Sequence, residues 1–115
     1  MICMNLRLTP PSHRTTEVAN ALRLQMGPTQ VVPGCIQCRL SQDMRDPNTL
    51  LYQEEWSSWR DLEKYIRADR FSRILELMEL SSTEPELTFN VVKETRGLDY
   101  VMKLRKATRA REIHQ

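Results

Sequence analysis

The chain opens on a strict alternation. Ile2, Met4, Leu6 and Leu8 fall on one side, and Cys3, Asn5 and Arg7 on the other, as in a half-buried strand. Pro10-Pro11 breaks the pattern and Ser12 is placed to cap a helix. Residues 13–27 carry Val18, Ala21, Leu22 and Met26 at helical spacing, and Gly27-Pro28 is expected to end that helix. Pro33-Gly34 then turns the chain into Cys35-Ile36-Gln37-Cys38-Arg39-Leu40. Asp46-Pro47-Asn48 turns it back into Thr49-Leu50-Leu51-Tyr52-Gln53-Glu54-Glu55-Trp56. These two runs read as a β-hairpin, with Ile36, Cys38 and Leu40 on one face of the first strand and Leu50, Tyr52, Glu54 and Trp56 on one face of the second.

Ser58-Trp59-Arg60-Asp61 resembles a capping box with Asp in the place of Glu. It starts a helix expected to reach about Leu80, with Leu62, Tyr65 and Ile66 and then Phe71, Ile74, Leu75 and Met78 inward. The stripe changes phase at Ala68-Asp69-Arg70, which predicts a bend or break there. Leu87, Phe89 and Val91 alternate with Thr88, Asn90 and Val92 as a fourth strand, Gly97 ends it, and residues 98–112 read as a terminal helix. The order β-α-β-β-α-β is the ferredoxin-like split βαβ pattern of the α+β class, a four-stranded antiparallel sheet with helices on one face. The other face, with Cys35, Gln37, Leu51, Gln53 and Val92, needs cover, so two copies are expected to stack as a homodimer.

At 115 residues the chain suits one domain. It divides into a folded part, residues 1–97, and a basic helical tail, residues 98–115. The tail holds five bases against two acids, so the rest sums to −1 within a net charge of +2. Such a tail could touch nucleic acid, but a near-neutral body gives no electrostatic footprint, and no nucleic-acid partner is expected. No apolar run approaches the ~20 residues of a membrane span, and the N-terminus lacks the pattern of a signal peptide. A cytoplasmic protein with no membrane partner is therefore expected. Three cysteines, Cys3, Cys35 and Cys38, argue against a disulfide framework. Cys35 and Cys38 have C-x-x-C spacing, but in a regular strand residues three apart point to opposite faces, and no second ligand pair exists. Buried, unbridged thiols without metal are expected.

Pro33-Gly34-Cys35, Asp43 with Asp46-Pro47, Tyr52-x-Glu54-x-Trp56-x-Ser58, Leu62, Phe71, Pro85-Glu86-Leu87-x-Phe89 and Gly97 occur in an order that resembles the antibiotic biosynthesis monooxygenase (ABM) domain. The resemblance spans roughly residues 2–97. It implies a dimeric α+β barrel. In some members it implies oxidation of quinols or anthrone-type aromatics by O₂ with neither metal nor flavin. A related branch degrades haem. Members often carry two histidines on the second helix; the matching positions here are Tyr65 and Arg70. In the haem branch the Trp position matches Tyr65 and the iron-ligating His position matches Leu75. Asn5, near that branch's Asn, lies on the other strand face. Haem chemistry is therefore excluded, and no cofactor is expected.

A cofactor-free monooxygenase needs aromatic walls, hydrogen-bond donors and a base in a dry pocket. Glu54, a carboxylate on an apolar strand face, is the candidate base, since desolvation raises proton affinity. Alternatively it pairs with an arginine such as Arg7, Arg39 or Arg70 and only ties the sheet together. Tyr65 is the candidate donor and Tyr52 and Trp56 the aromatic wall, though Trp56 at a strand end also suits a purely structural cap. Arg70 and Phe71 complete the candidate substrate contacts, around a small aromatic molecule. A non-catalytic dimer of the same fold, binding such a molecule or acting as an accessory subunit, is the alternative. A cavity of a few hundred Å³ between sheet and helices would favour a ligand role, and a filled core there would sink both ligand readings and leave a purely structural dimer.

Overall fold

A computed structural model describes the backbone of residues 1–114 and the side chains of residues 1–109. The strands are β1 (Ile2–Leu8), β2 (Cys35–Gln42), β3 (Leu50–Trp56) and β4 (Glu86–Val91). The helices are α1 (Thr15–Gln30), α2 (Trp59–Arg67), α3 (Asp69–Met78) and α4 (Leu98–His114). One antiparallel sheet forms in the order β2-β3-β1-β4, with β1 central between β3 and β4. This is the split βαβ arrangement that the alternation in β1, β3 and β4 leads one to expect.

The apolar halves of the strands meet the helices. Ile2, Met4, Leu6 and Leu8 of β1 and Leu50, Tyr52 and Trp56 of β3 form one buried cluster. Val18 and Leu22 of α1, Leu62 and Tyr65 of α2, and Phe71, Ile74 and Leu77 of α3 complete it. Leu77, rather than Leu75, follows Ile74 inward, and Leu75 is exposed. On the opposite face, where β1 alternates to Cys3, Asn5 and Arg7, β3 presents Leu51, Gln53 and Glu55. Gln53 donates to Asn5 Oδ1 across the ladder at 2.8 Å.

Local chemistry sets most element boundaries. Ser58 accepts from the Asp61 amide at 3.3 Å and caps α2. Ala68, with extended backbone, separates α2 from α3, where the apolar stripe changes phase. Two boundaries differ from expectation. Ser12 does not cap α1; it begins a 3₁₀ turn, Ser12–Arg14, and α1 starts at Thr15. The Thr15 hydroxyl reaches Asn48 Oδ1 at 3.0 Å, so the hairpin loop anchors the helix start. Nor does Gly27-Pro28 end α1: Pro28 sits inside its last turn. A proline there forfeits one hydrogen bond, to a carbonyl on the exposed Leu24 that water can serve, and the extra turn buries Thr29 fully.

The expected alternation of β2 also fails at its start. Cys35 opposes Trp56 and Gln37 opposes Glu55, so Ile36 is an extra residue, a β-bulge. The bulge cancels one step of the pleat. Cys35 and Cys38 therefore share the helix-facing side instead of lying on opposite faces, and Ile36, not Cys35, is the displaced exposed residue. Gly34 precedes the bulge with φ +92°, a left-handed conformation, and a Cβ there would collide with the Asp61 side chain. α4 is exposed throughout its described side chains, and the molecule spans 60 × 35 × 22 Å. The side chains of Arg111 and Glu112, counted in the basic tail, lie outside the described residues. Among the described residues no helix is long and apolar enough to cross a membrane.

Candidate functional site

The strand period places Tyr52, Glu54 and Trp56 side by side on the inner face of β3. Glu54 is 0% exposed, and so are Tyr52 and Trp56. A buried carboxylate needs donors, and three converge on it. The Tyr52 hydroxyl donates to Oε2 at 2.6 Å, the Tyr65 hydroxyl to the same oxygen at 2.9 Å, and the Trp56 indole N–H to Oε1 at 3.0 Å. Tyr65 reaches it from α2, its ring tilted against Trp56 at 4.7 Å and meeting Phe71 of α3 edge-on at 5.5 Å. Thus Glu54, Tyr52, Trp56, Tyr65 and Phe71 form one cluster, whereas Arg70 is exposed on α3.

Among the described residues no arginine neutralises Glu54. Arg7 lies 3.6 Å from Asp43, and Arg39 lies against Gln37. The ion-pair reading is replaced by a neutral cradle of two phenols and an indole. This decides the electrostatics. Hydrogen bonds to the charged form lower a carboxyl's pKa, and burial raises it. With no countercharge, burial wins, and Glu54 holds its proton above the ordinary carboxylate range despite its three donors. The same burial, with the carboxylate close by, pushes Tyr52 and Tyr65 far above the usual phenol range, so both remain neutral donors.

Two neighbours complete the environment. Cys38 Sγ lies 3.9 Å from the Tyr52 hydroxyl and 3.9 Å from Cys35 Sγ. Tyr52 has one proton, and the 2.6 Å contact to Glu54 takes it. From α1, Thr29 faces Tyr65, yet its buried hydroxyl has no hydrogen-bond partner of normal geometry; Gln25 Oε1, one turn earlier, is likewise buried and unpaired. Sequence reasoning missed Thr29. Its signal was the continuation of the Val18–Leu22–Met26 stripe, obscured by the expected helix stop.

The cluster is packed. Two concavities lie elsewhere. One runs along α4 between Asp99 and Arg109 and is lined by that helix alone. The other, about 200 Å³, lies mainly on the open sheet face among Asn5, Arg7, Ser41, Gln53, Glu86 and Thr88. Among the described residues no group of three or more His, Cys, Asp or Glu side chains is arranged to hold a metal ion.

What the arrangement can do chemically is hold, accept or release one proton at a desolvated carboxyl lined by aromatic rings. Solved structures share the frame around it. A conserved protein from Methanosarcina mazei Go1 is 26% identical and superposes with a TM-score of 0.73 over 80% of this chain and 92% of that one. A Deinococcus radiodurans protein, 18% identical, gives 0.76 over 84% and 97%. SnoaB from Streptomyces nogalater, a cofactor-independent oxygenase solved as a point mutant, is 14% identical and gives 0.71 over 82% and 94%. No curated protein sequence matches the chain. The sequence profile described as antibiotic biosynthesis monooxygenase matches residues 1–77, a stretch that contains the whole Glu54 cluster, and the chain belongs to that family.

Proposed function

We propose that the protein is a cofactor-independent monooxygenase that oxidises a quinol- or anthrone-like aromatic substrate with O₂, with Glu54 as its base. The observation that carries this reading is the Glu54 carboxyl, buried without a countercharge and ringed by Tyr52, Trp56 and Tyr65. Family membership and the fold shared with a cofactor-independent oxygenase support it.

In this reading Glu54 takes a proton from the activated C–H or phenolic O–H of the substrate. The resulting anion gives its electrons to O₂, a C–O bond forms, and a carbon hydroperoxide results. Loss of water leaves a carbonyl, so one CH₂ and one O₂ become one C=O and one H₂O. Tyr65, held neutral, turns its hydroxyl from the protonated Glu54 to the developing oxyanion, and the Tyr52, Trp56 and Phe71 rings flank the substrate plane. Because Glu54 is shielded in this packing, entry requires displacement of neighbouring side chains. The unpaired Thr29 hydroxyl facing Tyr65 marks a wall with a polar group left to satisfy. Homodimerisation across the open sheet face, burying on the order of 800 Å² per protomer, belongs to the same proposal.

The filled core counts against a ligand role and favours a second reading, a non-catalytic dimeric accessory protein in which Glu54 only orders the core. Oxygen uptake by the metal-free protein with a panel of quinols and anthrones separates the two. The monooxygenase consumes one O₂ per substrate without releasing peroxide. Absence of uptake across the panel supports the accessory reading.

A further inference from the structure

The bulge at Ile36 does more than correct a strand. It brings Cys35 and Cys38, which a regular strand would separate, to 3.9 Å between sulfurs on one face. An S–S bond is about 2.0 Å, so each sulfur has roughly 1 Å to travel, by side-chain rotation together with any adjustment of the bulged backbone. Cys35 is partly exposed beside the turn at Gly34, while Cys38 is buried against Tyr52. A bulge, an accessible thiol and a buried resolving thiol are the parts of a dithiol redox site.

We propose that Cys35 and Cys38 form a peroxide-oxidisable dithiol, with Cys35 the attacking and Cys38 the resolving sulfur. The Cys35 thiolate attacks one oxygen of hydrogen peroxide, the O–O bond breaks, and hydroxide leaves and is protonated to water, giving a sulfenic acid. Cys38 sulfur then attacks Cys35 sulfur. The S–S bond forms, the S–O bond breaks, and a second water leaves with the Cys38 proton. Two thiols and one peroxide become one disulfide and two waters. Burial pushes both thiols up, Cys38 to about 12, so oxidation is slow at neutral pH and quickens as pH rises. Cys38 borders Tyr52, whose proton is held by Glu54, so the change of sulfur state reaches the Glu54 cluster. The site does not depend on Glu54 turning over any substrate.

The test is intact mass of the reduced full-length protein before and after hydrogen peroxide, with disulfide mapping. The expected product is a monomer two mass units lighter, joined Cys35 to Cys38 and restored by dithiothreitol. Cys3→Ser should retain the loss, and Cys35→Ser and Cys38→Ser should each abolish it. Tryptophan emission, the sum of buried Trp56 and exposed Trp59, should shift on oxidation of the wild type and not of Cys35→Ser. The wild-type map decides the matter even if a serine variant fails to fold. A bridge through Cys3, or oxygen-adduct masses at Cys35 with no Cys35–Cys38 bridge, would overturn the proposal.

Discussion

The consequences of Glu54 are set by its three donors. Removing the acceptor strands all of them: each buried unpaired donor costs about 1–3 kcal/mol, so Glu54→Leu should be among the most destabilising single changes in the chain, read as the urea midpoint. Glu54→Gln is milder. Its oxygen still accepts from Trp56 while its amide donates to a tyrosine oxygen, and the freed hydroxyls have Cys38 and Thr29 as alternatives. The pH dependence follows with a definite sign. Glu54 binds its proton more tightly folded than unfolded, so its contribution is fully present below the ordinary carboxylate pKa and declines as pH rises through its raised folded value. Glu54→Gln should flatten that decline in thermal melts taken upward from about pH 4, the ordinary carboxylate range. A wild type whose stability rises across that window relative to Glu54→Gln would show the carboxylate to be ionised and favoured by folding.

At the scale of elements, the turn before β2 is the most constrained joint. Gly34 combines a left-handed φ with packing against Asp61, whose side chain also accepts from Ser58 at 3.0 Å in the α2 cap. Gly34→Ala should therefore both strain the turn and push on the cap, lowering stability by about 1–3 kcal/mol in denaturant unfolding. Pro28→Ala, by contrast, restores a helix donor facing the exposed Leu24 end and should be near neutral. Much of this architecture was legible in the sequence. The alternation of β1 and β3 placed Tyr52, Glu54 and Trp56 together, Ser58 marked the cap, and the phase change marked Ala68. Two features were not legible because tertiary packing overrode local rules. The buried Thr29 draws α1 past Gly27-Pro28, and the inserted Ile36 reverses the facing of Cys35, since a bulge leaves no periodic trace in so short a strand. The three-donor cradle was half legible: the residues were readable, but Glu54's choice of phenols and indole over an arginine needed the packing.

At the scale of the whole molecule, a four-stranded sheet has helices on one side and an open face on the other, and α4 extends from it exposed. Light scattering at micromolar concentration should give the mass of a dimer, and the protein lacking residues 106–115 should still fold and be dimeric; a monomeric full-length protein would contradict the stacked-sheet proposal. The proposed activity depends on Glu54 accepting a proton within the core of the protomer. Its most direct measurement is oxygen uptake by metal-free wild type and Glu54→Gln on the same quinol or anthrone, compared at equal folded fraction. The expected result is uptake by the wild type, with its acid limb shifted above the ordinary carboxylate range, and a reduction of about 10²–10⁴-fold in Glu54→Gln. Equal uptake by the two proteins, or none by either, would contradict it.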